Sequence, residues 1–303
     1  MEEAVYHIPA LLGPTIDGLD IVPAGIYVDV TLGGGGHTRA ILSHLGPDGH
    51  LYSLDQDRDA IARVQPSDIF TPIHGNFRHL ANYMDYYGVL GRVDGVLADL
   101  GVSFHHFDDA ARGFSFRADG PLDMRMNPEA TRTAADLLAE LDLDSLTTLL
   151  RLYGELPQAR RVAKALVDAR GKGAVDTTGR LTDVVRPLLS PKKEKKELAQ
   201  VFQALRIAVN GEMDALEAFL AQALETLRPG GRLAVITYHS LEDRMVKNFM
   251  RTGRTDGHDE RDLFGRSFAP MKALTSKPIV PDDAEIEANP RSRSAKLRVA
   301  VKL

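Results

Sequence analysis

The 303-residue chain contains no cysteine and no tryptophan. The missing cysteine excludes disulfide bonds, zinc sites built on thiolates, iron–sulfur clusters and any mechanism that uses a cysteine nucleophile. Long apolar runs are missing as well, because none approaches the roughly 20 residues that cross a bilayer, and the first residues do not resemble a signal peptide. We therefore expect a cytoplasmic protein with no membrane part.

A strong overall charge is also missing, since the formal net charge is −5. This average conceals a basic segment between Arg151 and Arg206, where 13 Lys and Arg face 6 Asp and Glu, for a local net charge of +7. A basic segment in an acidic protein is a plausible binding surface for RNA. A helical surface covered with solvated lysines explains the same charges equally well.

Short β-rich runs alternate with helical stretches over the first hundred residues. Strands are predicted at Gly25–Thr31, His50–Asp55, Phe70–His74 and Val93–Asp99. Helices are predicted between them at Thr38–Leu45, Asp57–Val64 and Phe77–Tyr87. This alternation predicts right-handed βαβ units and a parallel sheet.

The pattern becomes helical near Ser103. Helices are predicted at Ala134–Leu141, Ser145–Tyr153, Gln158–Ala169, Arg180–Leu188 and Glu194–Leu227, the last one interrupted near Asn210 and Gly211. Strands return at Arg232–Tyr238, after a turn at residues 229–231, and at Leu297–Leu303. We predict an α/β domain formed by residues 1–104 and 213–303, with residues 105–212 as a helical insert.

A glycine-rich loop, Gly33–Gly36, follows the first strand, which ends with Asp29. Glycines let a backbone approach a ligand closely and adopt positive φ. Alone, the loop fits NAD, a flavin, S-adenosylmethionine or a purely structural turn. Asp29 favours the cationic S-adenosylmethionine, because a dinucleotide fold places a pyrophosphate there that a carboxylate would repel. Alternatively, Asp29 only braces the loop.

Three further side chains lie where strands are predicted to end. Asp55 ends the second strand, where a carboxylate can hold the ribose hydroxyls of an adenosine. Phe77 follows the third strand, and its ring can pack on adenine or in the core. Asp99 ends the fourth strand, at the edge where ligands of open α/β folds bind. These positions predict one cofactor site at that edge.

Seven motifs, in unbroken order, resemble those of one protein family. They are Thr31–His37 (TLGGGGH), Asp99–Ser103 (DLGVS), Arg112–Phe116 (RGFSF), Gly120–Met126 (GPLDMRM), Phe202–Ile207 (FQALRI), His239–Arg244 (HSLEDR) and Asn289–Ser294 (NPRSRS). Together they look like the motifs of the bacterial 16S rRNA (cytosine-N4)-methyltransferases. Each motif is moderately specific, but the ordered set, which covers essentially the whole chain, is very specific.

The resemblance implies a fold and a reaction. The fold is a Rossmann-like S-adenosylmethionine methyltransferase sheet with an inserted all-helical domain, which we expect to recognise the substrate. The reaction is methylation of N4 of a cytidine in the decoding region of 16S rRNA, within the small ribosomal subunit. The cofactor is S-adenosylmethionine.

The resemblance also implies the residues that contact this cofactor. They are Gly35, Gly36, His37, Asp55, Phe77, Asp99 and His106. His106 departs from the family pattern, which has a glutamine there; a histidine forms similar hydrogen bonds but can also carry charge. We expect no metal site at His105 and His106, because adjacent residues rarely share one ion.

Asp99 and His239 are the candidate catalytic residues. Methyl transfer to an amine is an in-line displacement that mainly requires alignment. Asp99, or a backbone carbonyl of residues 100–102, can accept a hydrogen bond from N4 and direct its lone pair. His239 can orient the base or accept the proton, or it can simply brace the following helix. Asp123 and Arg125 are expected in a lid over the base.

Ten basic side chains are expected to bind RNA phosphates: Arg160, Arg161, Lys164, Lys192, Lys193, Lys195, Lys196, Arg291, Arg293 and Lys296. Three alternatives stay open at this stage. They are an NAD-dependent oxidoreductase on the same fold, a non-catalytic ribosome-assembly factor that keeps a cofactor pocket, and a DNA cytosine-N4 methyltransferase.

Overall fold

The chain folds into two compact units in the computed structural model, which describes residues 9–101 and 109–303. The sheet unit comprises Met1–Gly101 and Asp214–Leu303, and the helical unit comprises Val102–Met213. The α-helices within the described residues are α1 Leu12–Leu19, α2 Gly36–Leu42, α3 Arg58–Ala62, α4 Leu80–Tyr86, α5 Ala134–Glu140, α6 Leu143–Leu152, α7 Ala159–Arg170, α8 Thr178–Val185, α9 Glu194–Asn210, α10 Glu212–Thr226, α11 Ser240–Thr252 and α12 Asp283–Ala288.

The sheet unit is built on seven strands. They are β1 Ile26–Asp29, β2 His50–Asp55, β3 Phe70–His74, β4 Val93–Asp99, β5 Leu227–Thr237, β6 Met271–Ala273 and β7 Lys296–Lys302. Their order is β3-β2-β1-β4-β5-β7-β6, with parallel pairing from β3 to β5 and antiparallel pairing on both sides of β7. The predicted α/β class with a Rossmann-like sheet is confirmed.

The strand order positions the candidate site. β1 pairs with β2 on one side and with β4 on the other. The strands up to β3 are therefore added on one side of β1, and β4 and β5 are added on the opposite side. Such a reversal of the strand order opens a crevice beyond the carboxyl ends of the strands. The central strands are buried on both faces, with Val96, Leu97 and Ala98 of β4 fully inaccessible, as expected when helices cover a parallel sheet.

The helical unit contains α5 to α9 around its own apolar core, in which Leu146, Val162 and Val201 are fully buried. Within its described residues it has no β-strand. Two of its helices begin with side-chain caps that the sequence makes visible: Asp142 precedes α6, and Thr177 precedes α8. These caps satisfy free N–H groups of the first turn.

One sequence prediction about this region is confirmed and another needs correction. The predicted interruption of Glu194–Leu227 near Asn210 and Gly211 is confirmed, because Gly211 adopts a left-handed conformation (φ +57°) that ends α9. The predicted turn at residues 229–231 lies inside β5. The register between β5 and β4 shifts at these residues: Leu227 pairs with Val93, whereas Arg232 pairs with Gly95. The turn residues therefore form an irregularity in the strand pairing.

Three elements were not predicted, namely α1, β6 and α12, and the helix expected after His239, α11, was given no bounds. Helix α1 contains Gly13, Pro14 and Gly18 and begins without a side-chain cap, so its sequence lacks helical signals. Helix α11 is capped by His239, which is not a usual capping residue. Strand β6 is three residues long and buries only one of them, Met271, so it has no recognisable alternation.

Candidate active site

The carboxyl edge of the sheet brings together the ends of β1, β2 and β4, as predicted. Each strand ends with an aspartate: Asp29, Asp55 and Asp99, respectively. The three carboxylates differ in their environment. Asp29 is only 1% exposed, whereas 22% of the Asp99 side chain is accessible. Asp99 is therefore more accessible to a ligand than Asp29.

Asp29 lies beneath the glycine-rich loop and braces it. Its Oδ1 accepts hydrogen bonds from the backbone N–H (3.1 Å) and the hydroxyl (3.3 Å) of Thr31, and its Oδ2 accepts one from Thr38 Oγ1 (2.7 Å). Burial raises the pKa of Asp29, which these hydrogen bonds partly oppose. The structure thus favours the bracing role for Asp29. The sequence-based choice of cofactor relied instead on direct contact between Asp29 and a cationic ligand.

The glycine-rich loop has a conformation that requires glycine. Gly33 and Gly35 have φ values of +47° and +73°, which side chains disfavour. The backbone N–H of Gly33 donates to Asp55 Oδ2 (2.8 Å), so the loop is tied to the end of β2. At Gly36 a Cβ atom would lie 2.7 Å from the ring of Pro9. The expected cofactor contacts Gly35 and Gly36 thus lie in a constrained loop beside Asp55.

Asp55 has acceptor capacity left for a ligand. Its Oδ2 accepts one hydrogen bond, from Gly33, and its Oδ1 accepts one from the backbone N–H of Asp57 (2.9 Å). An ionised carboxylate has about four acceptor positions. Burial raises the pKa of Asp55 to about 6, although both N–H groups favour its charged form. A pair of hydroxyl donors from a ribose would compensate for this desolvation.

Asp99 is held by groups from three elements. Tyr238, at the end of β5, donates its hydroxyl to Asp99 Oδ1 (2.9 Å), and the Asp99 backbone N–H donates to Thr31 Oγ1 (2.7 Å). The Nδ1 atom of His37, in the first turn of α2, lies 3.7 Å from Asp99 Oδ2. The structure therefore joins two predicted site residues, His37 and Asp99.

The titration of this cluster follows from its burial. Desolvation raises the pKa of Asp99 to about 6, while His37 and the Tyr238 hydroxyl act in the opposite direction. Burial lowers the pKa of His37, although Asp99 favours its charged form. Burial and the neighbouring Asp99 raise the pKa of Tyr238, so its hydroxyl keeps its proton and remains a donor. Asp99 is thus a carboxylate poised to change its charge close to neutral pH.

Tyr238 is the site residue that sequence reasoning missed. Its position directly after a strand, next to His239, was a usable signal, because side chains at strand ends gather at the ligand edge. Its ring also packs close to Gly101, where a Cβ atom would lie 3.1 Å from Tyr238 Cδ2.

His239 is placed at the strand end as predicted, but its imidazole acts on the following helix. It caps α11, with Nδ1 accepting from the Glu242 N–H (3.4 Å) and Nε2 3.1 Å from Glu242 Oε1. Only 8% of the side chain is exposed. This geometry favours the bracing alternative, and contact of His239 with a base remains a prediction.

The other predicted residues are placed as follows. Phe77 begins a 3₁₀ turn after β3 and is half-buried, with its ring edge-on to Phe219 at 5.4 Å between centroids. Asp123 and Arg125 form a two-pronged ion pair within the helical unit, with Nε to Oδ1 and Nη2 to Oδ2 both 2.7 Å. His105 and His106 lie outside the described residues.

The comparisons with known proteins identify a family for this chain. Residues 4–303 match the MraW methylase family. The chain belongs to that family. It is 55% identical over 302 residues to ribosomal RNA small subunit methyltransferase H of Parabacteroides distasonis, covering 100% of this chain and 99% of the relative. It is also 55% identical over 304 residues to the protein of that name from Phocaeicola vulgatus, with 100% of both chains covered.

Among solved structures, TrmN from Thermus thermophilus matches with a TM-score of 0.44 and 13% identity, over 97% of this chain and 48% of the other.

Membership in the MraW methylase family confirms three sequence predictions: the family resemblance, the methyltransferase activity and the S-adenosylmethionine cofactor. The nicotinamide-dependent alternative is thereby excluded. Across residues 9–101 and 109–303, none of the helices combines the length and apolar character needed to cross a membrane.

Proposed function

We propose that this MraW family member methylates N4 of a cytidine in the decoding region of 16S rRNA, in the small ribosomal subunit and in the cytoplasm. The observation that carries the proposal is the 55% identity, over the full length of both chains, to relatives named ribosomal RNA small subunit methyltransferase H. Methylation at carbon 5 of the base conventionally needs a thiolate, which this cysteine-free chain cannot supply.

The residues at the sheet edge fit S-adenosylmethionine. When bound, it supplies an electrophilic methyl group on a sulfonium. Asp55 has free acceptor positions for ribose hydroxyls, and the Gly35–Gly36 backbone leaves room for close approach. Phe77 follows β3 and offers a half-buried ring for the adenine. His37 and Asp99 complete the set, with His106 as a further predicted contact.

We assign to Asp99 the role of binding the N4 amine of the cytidine. One of its oxygens is fixed by Tyr238, and the other faces His37 at 3.7 Å. A carboxylate held in this way can accept a hydrogen bond from the N4 amine and orient the nitrogen lone pair. Its pKa near 6 leaves it ionised at neutral pH and able to accept the proton that the amine loses.

His239 has a supporting role in this scheme. By capping α11 and approaching Glu242, it holds the start of that helix directly after Tyr238. The Glu242 carboxylate also accepts from the backbone N–H of Tyr238 (2.9 Å). His239 therefore positions the tyrosine that holds Asp99, and a direct contact with the base is not needed.

The helical unit is our candidate for substrate recognition. Lys192, Lys193, Lys195 and Lys196 are exposed at the start of α9, and none of these lysines has an ion pair within the described residues. By contrast, Arg160 pairs with Asp144 (2.9 Å) and Lys164 with Asp168 (2.8 Å). The four lysines are consequently the stronger candidates for phosphate contacts.

Among the predicted C-terminal phosphate contacts, Lys296 lies 3.3 Å from Asp243. The positive charge of Lys296 is therefore already paired with the Asp243 carboxylate within the sheet unit.

The decisive experiment is transfer of tritiated methyl groups to small ribosomal subunits from a strain that lacks the gene, followed by nucleoside identification. We expect label in N4-methylcytidine of 16S rRNA. In a parallel reaction with DNA as the substrate, label in DNA but none in the subunits would support the DNA alternative. Binding to subunits without any transfer would support the non-catalytic assembly factor.

A further inference from the structure

Residues 259–268 of the sheet unit form a hairpin that is shaped by hydrogen bonds. The Asp262 N–H donates to the Arg266 carbonyl (2.9 Å), and the Gly265 N–H donates to the Asp262 carbonyl (3.0 Å). Asp262 Oδ1 accepts from the backbone N–H groups of Phe264 and Arg266, both at 2.8 Å. Gly265 has a φ of +80°. The turn is therefore well defined without any apolar packing at its tip.

Most charged side chains of the hairpin are directed at each other. Arg261 pairs with Asp259 (2.6 Å), which also accepts from the hydroxyl of Ser267 (2.6 Å). Glu260 pairs with Arg254 (3.2 Å), a residue just before the hairpin. These contacts stabilise the base of the hairpin.

The hairpin displays large apolar side chains to solvent. At its tip, Phe264 is 85% exposed and Leu263 is fully exposed, and at its base Phe268 is 67% exposed. The guanidinium of Arg266 lies 5.9 Å from the centroid of the Phe264 ring, and no ion pair of Arg266 is found within the described residues. Neighbouring exposed apolar side chains such as Leu263 and Phe264 often mark an interaction site.

We propose that this tip binds an unpaired base of the RNA substrate, with Phe264 stacking on the base and Arg266 extending the stacking surface. The inference rests on the proposed rRNA substrate. Unstacked RNA bases are commonly held on aromatic rings and guanidinium planes. Three side chains are far fewer than the 20–30 residues that each side of a typical protein interface contributes. A single base, however, needs little more than one ring.

Base stacking and phosphate binding differ in their dependence on salt. Each phosphate contact releases counterions and steepens the fall of affinity with salt concentration, whereas stacking releases few. The hairpin should therefore contribute affinity that is nearly independent of salt. The four lysines at the start of α9 should instead contribute affinity that disappears at high salt.

The first test uses the absence of tryptophan. Phe264→Trp places a single indole in the chain at the hairpin tip, and Tyr86→Trp, at an exposed tyrosine of the same unit (83% exposed), is the matched control. Both variants are titrated with unmethylated small subunits and with a single-stranded RNA oligonucleotide. We expect quenching of the Phe264→Trp fluorescence by both, and no quenching in the control.

The second test separates stacking from simple apolar contact. We expect Phe264→Ala to weaken subunit binding about 5- to 150-fold, the range for loss of one base–aromatic stack. Phe264→Leu, which keeps an apolar side chain but no ring, should be weakened nearly as much. The dependence of affinity on salt should keep its wild-type slope in both variants, and Tyr86→Ala should bind like the wild type.

Wild-type methyl transfer to subunits, measured in parallel, separates this inference from the proposed function. If the wild type transfers methyl groups but Phe264→Ala binds normally and Phe264→Trp is not quenched, the inference is wrong and the proposed function stands. If Phe264→Leu keeps full affinity for subunits and naked RNA does not quench Phe264→Trp, the tip contacts protein and the RNA assignment is overturned.

Discussion

Replacing Asp99 by asparagine should stabilise the sheet unit and slow methyl transfer. Asp99 is largely buried and its pKa is raised to about 6, so the folded chain binds the proton more tightly than the unfolded chain does. The ionised carboxylate therefore destabilises the fold. Asparagine removes the charge but keeps a hydrogen bond, because the Tyr238 hydroxyl can donate to its carbonyl or accept from its amide.

The size of the effect follows from the pKa. A rise from 3.8 to about 6 corresponds to about 3 kcal/mol at neutral pH, at about 1.4 kcal/mol for each pKa unit. Because 22% of the side chain is exposed and solvent screens the charge, we expect about 1–3 kcal/mol. This cost is absent below pH about 4, reaches about half its value near pH 5 and is complete above pH about 6.

Denaturant unfolding of Asp99→Asn and the wild type, at pH 7.5 and at pH 5, measures this cost. We expect the variant to be more stable by about 1–3 kcal/mol at pH 7.5 and by about half as much at pH 5. Asp85→Asn, at an exposed position on α4, is the control and should change little at either pH. In the same preparations, methyl transfer should fall by about 10²- to 10⁴-fold, the usual contribution of a positioned general base.

Two results would refute this reasoning. If Asp99→Asn is less stable than the wild type at pH 7.5, the carboxylate is stabilised by partners that outweigh its desolvation. If turnover is unchanged, Asp99 neither orients the amine nor accepts its proton. Wild-type turnover should also rise with pH through about 6, as the carboxylate ionises, and a flat profile between pH 5 and pH 7 would contradict its role.

Three further predictions concern the loop and the RNA surface. Gly35→Ala should lower stability by about 1–3 kcal/mol, because its φ is +73°, and should weaken binding of S-adenosylhomocysteine in calorimetry. Thr38→Val removes the donor to buried Asp29 and should cost about 1–3 kcal/mol in denaturant unfolding. Replacing four lysines by glutamine should lower the slope of log affinity against log salt by up to about 3; they are Lys192, Lys193, Lys195 and Lys196.

The two predictions for the loop have matched controls, and the lysine prediction has a result that would contradict it. Gly34→Ala, whose Cβ would face open space, should not change the free energy of unfolding, so equal losses at both glycines would remove the conformational argument. Thr38→Ser keeps the hydroxyl and should restore stability; if it does not, the methyl group of Thr38 is what matters. An unchanged salt slope in the lysine variant would exclude the start of α9 as a phosphate-binding surface.

Much of the fold could be predicted because its signals are local. The bounds of β2, β3 and β4 agree with the structure at both ends, since each is a short β-rich run whose last residue is polar: Asp55, His74 and Asp99. The helices of the helical unit agree within a few residues, because apolar side chains recur at helical spacing. Elements without such signals, such as α1 and β6, depend on packing against the rest of the sheet unit.

The roles of the aspartates could not be predicted, because they depend on contacts distant in the sequence. Asp29 and Asp99 both end parallel strands, and the sequence made Asp29 the more informative of the two. In the structure the Thr38 hydroxyl from α2 occupies one of its oxygens, which leaves it 1% exposed. Asp99 meets a hydroxyl 139 residues further along the chain, that of Tyr238. Only the pairing of β4 with β5 brings these two together.

The environment of Asp99 connects the stability of the fold with its chemistry. In the proposed reaction, a chain without cysteine has no thiolate to form a covalent intermediate, so the amine would be held and its proton received by groups that stay in place. A fully solvated carboxylate with an ordinary pKa is a weak proton acceptor at neutral pH. Burial beside Tyr238 raises the pKa of Asp99 and makes it a better acceptor, and the same burial destabilises the sheet unit. A variant that gains stability at this position should therefore lose turnover, because both effects arise from the same desolvated charge.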